Sequence, residues 1–381
     1  MIVTLSEHFS DMSAEELVSY SSAIQNLISA HAQGWHLFVP DRVTIGRIIS
    51  DIPLSDIQRA VLTHYIQGRH ADLMGQLRTV KKYVCCLPRN EPELELDECI
   101  IPTCLDRFDN LECCLKSELL VENATRDGVF YTTMARIWGA IGSSKLPLQF
   151  RTQNGGGDTL ADELVRDAGA CPPRLAVVDS DQRRPGGPLG GTATRAVTAM
   201  ANVTDPLIHL IVTSARAVEN LIPLSILKSA LADDPIAVAR IDIIEQILQY
   251  DHANGIILAE SLVRFISLKK GVKFGDIRTC PPPFRARLVA YVEACGGQCN
   301  LAADNDASQD DVLVVAKCAV KSLEKTIALI VKDESAFEKQ FRSHVENDSD
   351  RAFQNVIGEV IAYGMGGRRV PGAELLALHA A

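Results

Sequence analysis

The sequence predicts an α/β domain with a mostly parallel sheet, placed between N-terminal and C-terminal regions that are mainly α-helical. Two observations predict this. Short apolar runs alternate with helical patterns over residues 115–235, which indicates βαβ units. Apolar residues recur at helical spacing on both sides of that segment. We therefore expect a helical region over 1–114, an α/β domain over 115–235 and a helical region over 236–381.

In the N-terminal region, two serines mark the starts of predicted helices. Ser13 lies three residues before Glu16, which is the spacing of a capping box, and Ser55 opens a second helix. The acidic, proline-containing segment 87–110 is typical of a connector, with room for one short strand.

In the α/β segment, three short apolar runs are each followed by an acidic residue. The carboxyl ends of parallel strands meet at one edge of a sheet, where ligands bind in α/β folds. These acids are therefore candidates for one site. The runs are 115–121 before Glu122, 174–178 before Asp179, and 208–213 shortly before Glu219.

The C-terminal region returns to helical periodicity. Residues 236–248 are densely apolar, and further helical patterns cover 312–331 and 350–363. The last residues, from Gly364 onward, are typical of a partly flexible tail.

Composition limits the classes of function. The chain has 381 residues, 47% of them hydrophobic, and a net charge of −10, which argues against a general nucleic-acid coat protein. Bound metal and a local basic strip can still adapt an acidic chain to nucleic acid. No apolar run approaches the ~18–20 residues that span a bilayer, and the N-terminus lacks the pattern of a secretory signal. We expect a cytoplasmic protein without membrane contact.

The chain has 11 cysteines, an odd number, and reduced thiols are expected in that setting. Six of them lie between Cys85 and Cys114 without the paired spacing of a zinc site, so buried free thiols are favoured over zinc. Cys295 and Cys299 lie four residues apart and are only a weak indication of a zinc site. The histidines show no ligand spacing and are interpreted as structural.

The sharpest local motif is Asp179-Ser180-Asp181, directly after an apolar run. Side chains at i and i+2 of an extended segment point to the same side, so two carboxylates can reach one hard cation such as Mg²⁺ or Mn²⁺. The motif alone also occurs in phosphatases, in sugar transferases and in solvated turns.

Residues 115–224 resemble a Toprim domain, the catalytic module of type IA and type II topoisomerases, bacterial-type primases and OLD-family nucleases. The segments LKSELLVENATRDGVFY, RLAVVDSDQRRP and HLIVTSARAVENLIP carry the resemblance. It implies catalytic roles for Glu122, Asp179 and Asp181. The metal ligands that it implies are Glu122, Asp127, Asp179, Asp181 and Glu219.

The chain departs from the family pattern after the first acid. Asn123 stands where the family usually has glycine, and Asp127 lies five residues beyond Glu122 instead of after a short gap. Asp127 is therefore also explained as a cap for the helix that follows it.

Basic residues near the motif are candidates for nucleic-acid contacts. Arg183 and Arg184 directly follow the D-x-D motif, and Lys269 and Lys270 begin the nearest basic strip. Solvated surface side chains are the alternative for both pairs. The Gly-rich segment 154–158 can bring backbone amides to an anion, or it is a plain tight loop.

The Toprim resemblance implies a metal-dependent nuclease that hydrolyses phosphodiester bonds of DNA or RNA with Mg²⁺ or Mn²⁺. By family analogy it is an effector of anti-phage defence. Such domains often act with an ATPase. The chain has no G-x-x-x-x-G-K-[ST] motif, so that ATPase is a separate partner. A homo-oligomer is compatible with the sequence.

Other classes of function explain less of the sequence. A topoisomerase would need a catalytic tyrosine domain and a longer chain, and a primase usually carries a zinc-binding domain. A D-x-D phosphatase or glycosyltransferase does not explain Glu122 and Glu219 together. The remaining alternative is a non-catalytic Toprim scaffold that binds or regulates with a partner ATPase.

Overall fold

The computed structural model of the chain describes residues 1–89, 97–141, 147–256, 260–297, 312–315, 321–347 and 351–371. The chain forms two compact units. The first unit comprises Met1–Val177, Ala196–Ile211 and Val356–Ala381, and the second comprises Val178–Arg195 and Val212–Asn355. The domain boundaries that the sequence suggested, at 114/115 and 235/236, stay a prediction.

The N-terminal region contains a four-stranded parallel sheet as well as helices. The strands follow the order β2-β1-β3-β4, and each neighbouring pair is parallel. The strands are β1 (Ile2–Leu5), β2 (Leu37–Phe38), β3 (Tyr83–Leu87) and β4 (Ile100–Cys104). The helices are α1 (His8–Asp11), α2 (Ala14–Val18), α3 (Ser21–Ala32), α4 (Arg42–Asp51), α5 (Asp56–Ala60) and α6 (His70–Leu77).

This sheet corrects the expectation of a merely helical N-terminal region. Its strands have only two to five residues, and the side chains of β1, β2 and β3 are mostly buried, so these three strands carry no alternating pattern. The segment taken for a connector contributes the end of β3 and all of β4. The helix starts at Ser13 and Ser55 are confirmed, since both serines form capping boxes.

A second four-stranded sheet follows, in the order β6-β5-β7-β8. β5 is parallel to both β6 and β7. The Arg174 N–H donates to the carbonyl of Leu207, and the Thr213 N–H donates to that of Val178, so β7 and β8 also run in the same direction. The predicted α/β architecture with a parallel sheet is confirmed. The strands are β5 (Ser117–Val121), β6 (Phe150–Asn154), β7 (Arg174–Val178) and β8 (Ile208–Val212). The helices are α7 (Val129–Ile141), α8 (Leu160–Val165), α9 (Gly191–Met200) and α10 (Leu224–Ala230).

The rest of the chain is mainly helical, as predicted. The exception is a small antiparallel pair of strands, which takes up the start of the helix predicted over 312–331. Strand pairing there overrides the helical spacing, and residues 316–320 lie outside the described residues. The elements are α11 (Pro235–Ala253), β9 (Val272–Lys273), α12 (Phe274–Arg278), α13 (Pro282–Ala294), β10 (Leu313–Val315), α14 (Ser322–Lys332), α15 (Glu334–Asn347) and α16 (Arg351–Gly364).

Within the described ranges, no helix is long and apolar enough to cross a membrane.

A buried ion pair holds the second sheet together. Arg174 on β7 donates through Nε (2.8 Å) and Nη2 (2.7 Å) to Oε2 of Glu118 on β5. Gln153 on β6 donates to Oε1 of the same carboxylate. Nη1 of Arg174 donates to three carbonyls at the end of α8, those of Glu163, Leu164 and Arg166. Glu118 and Arg174 are 4% and 3% exposed, so each charge depends on the other for its solvation.

We expect Arg174→Ala to lower the free energy of unfolding by about 3–5 kcal/mol, because it leaves the Glu118 carboxylate buried without its cation. Urea unfolding followed by circular dichroism measures the loss. Arg166→Ala is the matched control. Arg166 is 53% exposed in its pair with Glu163, and its loss should cost less than about 1 kcal/mol. Similar small losses for both variants would contradict the proposed role of the buried pair.

Candidate functional site

The D-x-D segment is fixed to the chain that follows β8. Ser180 is buried, and its hydroxyl donates to the carbonyl of Ala215 at 2.7 Å. The Asp181 N–H donates to the carbonyl of Arg216 at 2.9 Å. Asp179 is half-buried and Asp181 is exposed, so the two acids flank a serine that packs inward. The prediction that both carboxylates reach one cation stays a prediction, since Asp181 departs from the extended conformation on which it depends.

Asp181 ends the extended segment in a left-handed conformation, with φ of 53°. The loop before α9 closes directly against it, because the Gly190 N–H donates to the carbonyl of Ser180 at 2.8 Å. A Cβ on Gly190 would lie 2.5 Å from Cβ and 2.8 Å from Oδ2 of Asp181. Only glycine allows this approach, so residue 190 sets the position of the Asp181 carboxylate.

In the second unit, a pocket of about 560 Å³ opens beside Asp181. Four basic side chains and one acidic side chain line it, so its wall is cationic although the chain as a whole is acidic. The lining residues are Asp181, Arg183, Arg184, Pro188, Leu189, Gly190, Gly191, Arg216, Lys270 and Thr279.

The pocket brings together three of the four basic residues that the sequence selected: Arg183, Arg184 and Lys270. Sequence reasoning missed Arg216, although it lies inside one of the three Toprim-like segments. The first residue of α9, Gly191, also lines the pocket. The positive end of that helix therefore adds to its attraction for anions.

A buried carboxylate outside the lining holds two of the pocket arginines. Oδ1 of Asp276, on α12, lies 3.0 Å from Nη1 of Arg183, and Oδ2 lies 3.8 Å from Nη1 of Arg216. Burial lowers the pKa of Arg216, and the neighbouring Asp276 carboxylate opposes that shift. Asp276 belongs to no sequence motif, so only the structure reveals it.

Glu219 and Lys269 form an ion pair. Nζ of Lys269 lies 3.3 Å from each carboxylate oxygen of Glu219, and Glu219 is buried. The neighbouring Asn220 donates from Nδ2 to the carbonyls of Val263 (2.7 Å) and Ile266 (2.9 Å), which fixes this turn. The acid assigned to metal and the lysine assigned to nucleic acid therefore neutralise each other.

In the first unit, Asp127 is bonded to its own turn. Its Oδ2 accepts from the Asn123 N–H at 3.1 Å and its Oδ1 accepts from Nε of Arg126 at 2.8 Å. Both donors precede Asp127, so these bonds tie it to the turn 123–128 and do not make it a cap of α7. Glu122 directly follows β5, and Val121 at the end of that strand pairs with Val177 of β7. Glu122 and Asp179 therefore follow the carboxyl ends of neighbouring parallel strands.

No group of three or more His, Cys, Asp or Glu side chains in the described part of the chain is arranged to hold a metal ion. Mg²⁺ often uses only one or two carboxylates and takes its other ligands from water and substrate phosphates. Asp179 and Asp181 offer two hard oxygen donors of this kind, so the donor set fits Mg²⁺ or Mn²⁺.

The expectation of buried free thiols between Cys85 and Cys114 holds for four of the six cysteines, since Cys99 is half-buried and Cys104 is exposed. Cys85, Cys86, Cys113 and Cys114 are free and buried. Burial raises the pKa of Cys85 to about 11 and raises the pKa of the other three, which disfavours the thiolates that zinc requires. Cys299 lies outside the described residues.

The Gly-rich segment 154–158 forms a tight loop into α8. Gly156 and Gly157 have φ values of 56° and 58°, and a Cβ on Gly155 would lie 2.7 Å from the Leu160 side chain. These backbone requirements account for the glycines, which supports the plain-loop interpretation.

No protein-family model, curated protein or solved structure matches this chain. Only the geometry of the site therefore points to a function.

We expect Gly190→Ala to displace Asp181 and to lower the free energy of unfolding by about 1–3 kcal/mol, because the new methyl group overlaps that side chain. Urea unfolding measures the loss. Gly191→Ala is the control, since a Cβ there meets no atom within 4 Å. Equal stability of the two variants would contradict the close packing of residue 190 against Asp181.

Proposed function

We propose that the chain is a divalent-metal-dependent nuclease that hydrolyses phosphodiester bonds of DNA or RNA in a Toprim-like domain. The observation that carries the proposal is the cationic pocket beside the D-x-D motif. A chain of net charge −10 concentrates four basic side chains around Asp181 there. Phosphate groups are the ligands that such a wall attracts beside metal-binding carboxylates.

In this proposal, the basic residues bind and orient the substrate. Arg183, Arg184 and Arg216 can each present two N–H donors to one phosphate, and Lys270 adds a point charge. Binding here would place a phosphodiester next to Asp181, since all five residues line the same space. Such positioning is a large part of catalysis in phosphate chemistry.

Asp179 and Asp181 would hold Mg²⁺ or Mn²⁺, which when bound polarises the phosphoryl oxygen and lowers the pKa of its bound water. Glu122, after the neighbouring strand, is proposed as a further ligand or as the general acid/base. Glu219 could serve as a ligand only by exchanging its bonds to Lys269. The bonds from Asn123 and Arg126 account for the buried Asp127 carboxylate without a metal.

The biological setting comes from the Toprim resemblance and is part of the proposal. It is a cytoplasmic effector of anti-phage defence that acts with a separate ATPase.

A second candidate is a non-catalytic Toprim scaffold that binds or regulates a partner ATPase. The observation in its favour is that two of the five acids assigned to metal are engaged elsewhere. Glu219 is paired with Lys269, and Asp127 is bonded within its own turn.

Cleavage and metal binding together separate the two candidates. We expect the purified chain to cut at least one of single-stranded DNA, duplex DNA, tRNA or another RNA with Mg²⁺ or Mn²⁺, and EDTA should stop the reaction. Asp179→Ala or Glu122→Gln should abolish cleavage without changing the metal-free melting temperature. The control is Asp167→Asn, which changes an exposed aspartate outside the pocket at a φ of 53° that asparagine accepts.

Cleavage that persists in Asp179→Ala would refute the assigned site. A chain that binds neither ion by calorimetry would favour the scaffold. A chain that binds metal through Asp179 but cuts nothing alone would point to a missing partner.

The basic pocket predicts how binding depends on salt. Arg184→Ala should weaken the binding of a fluorescent single-stranded oligonucleotide and lower the slope of log affinity against log salt by about 0.7, because one phosphate contact is lost. Anisotropy titrations over a salt series measure the slope. Arg166→Ala, which removes an exposed arginine outside the pocket, should leave it unchanged. An unchanged slope in Arg184→Ala would remove Arg184 from the phosphate contacts.

A further inference from the structure

We propose that Asp276 is a positioning residue of the phosphate pocket, which holds Arg183 and Arg216 as a fixed pair for the incoming phosphate. This inference rests on the proposed function, because it assigns a role inside the same site. Asp276 does not line the pocket, so it acts through the two arginines and has no direct contact with substrate.

The first support is the contrast in exposure between Asp276 and Arg183. The Arg183 side chain is 59% exposed, whereas the Asp276 side chain is only 6% exposed. An exposed arginine normally samples many rotamers, and ordering it costs conformational entropy when it binds. The 3.0 Å ion-pair contact to a buried carboxylate, which lacks hydrogen-bond geometry, favours rotamers that keep Arg183 beside Asp276 before any ligand arrives.

The second support is that Asp276 is itself rigid. It lies in the first turn of α12, where Oδ2 accepts from the Lys273 N–H at 3.3 Å. Phe274 and Ile277 on the same helix are 4% and 0% exposed, so packing fixes the helix independently of the pocket. The anchor is therefore part of the core.

The third support is the electrostatic state of Arg216. Its side chain is 12% exposed, and its Nη1 donates to the carbonyl of Phe265 at 3.2 Å. Oδ2 of Asp276 lies 3.8 Å from the same Nη1, so this carboxylate supplies a counter-charge to a guanidinium that is largely removed from water. One carboxylate shared by two arginines leaves a net positive charge, so the pair still attracts a phosphate.

The alternative role for Asp276 is that of a charge shield, a carboxylate that screens the positive charge of the two arginines. A shield would weaken phosphate binding by neutralising the arginines, and removing it would make each arginine more effective. A positioning residue does the opposite, since an arginine without its anchor contributes less to binding. The two roles therefore predict opposite signs of coupling between residues 183 and 276.

The test is a double-mutant cycle in oligonucleotide binding, with Asp276→Asn and Arg183→Gln. Asparagine at residue 276 has the same size as aspartate, and its side-chain oxygen can still accept from the Lys273 N–H. Anisotropy with a labelled single-stranded oligonucleotide gives the fold-loss of affinity on Arg183→Gln. We expect that loss to be at least about threefold smaller in the Asp276→Asn background than in the native background.

The other outcomes overturn the proposal. A larger loss in the Asp276→Asn background would make Asp276 a shield, and an equal loss would leave it only a structural role in α12. Absence of oligonucleotide binding in the native chain would remove the phosphate pocket altogether. The control Asp167→Asn changes the net charge equally at an exposed position with φ of 53°, which asparagine accepts. Asp167→Asn should leave the fold-loss of affinity on Arg183→Gln unchanged.

Cleavage adds a readout that depends on the proposed function, whereas the binding cycle does not. With Mn²⁺, Asp276→Asn should lower kcat by about 10- to 100-fold and raise KM by a smaller factor, because the unanchored arginines bind the phosphate less well and also misplace it. An increase in kcat would overturn the proposal. If the native chain neither binds metal nor cuts nucleic acid, the nuclease proposal fails, and the binding cycle still decides the role of Asp276.

Discussion

The second sheet depends on one buried ion pair, that between Glu118 and Arg174. The carboxylate on β5 accepts bonds from β7 and β6, and the guanidinium reaches three carbonyls at the end of α8. Removing one partner would strand a charge in a place where water does not reach. The pair therefore constrains how β5, β6 and β7 align, and that alignment determines where the chain leaves each strand. Asp179 is the first residue beyond β7, and Glu122 is the first beyond β5.

A second electrostatic pattern governs the pocket. Its arginines repel one another, and part of that repulsion is met by Asp276, a carboxylate that the solvent barely reaches. We propose that an anionic ligand meets the remaining positive charge. The proposed metal site does not require three preassembled acids, because Mg²⁺ takes much of its coordination from water and phosphate. In that proposal the substrate completes the site, and the basic wall attracts the substrate.

The sequence predictions that the structure confirms depend on interactions between near neighbours in the chain. The helix starts at Ser13 and Ser55 depend on bonds within four residues, and they are confirmed. The runs before Glu122 and Asp179 are strands because apolar stretches between helical patterns are buried in a parallel sheet. The N-terminal sheet was missed because β1, β2 and β3 are short and almost entirely buried, so they show no alternation. Glu219 and Lys269 form one ion pair, but the sequence assigned them to different roles because 50 residues separate them along the chain.

The sequence by itself determined the α/β class of residues 115–235, the acids at the strand ends, and the basic character of Arg183, Arg184 and Lys270. These features depend on residue type and on near neighbours in the chain. Only the tertiary structure decided which charges meet. It paired Glu219 with Lys269, bonded Asp127 within its own turn, and brought Arg216 and Asp276 to the D-x-D motif. The physical reason is that an ion pair is selected by distance and burial in the folded chain, and neither quantity is encoded in local spacing.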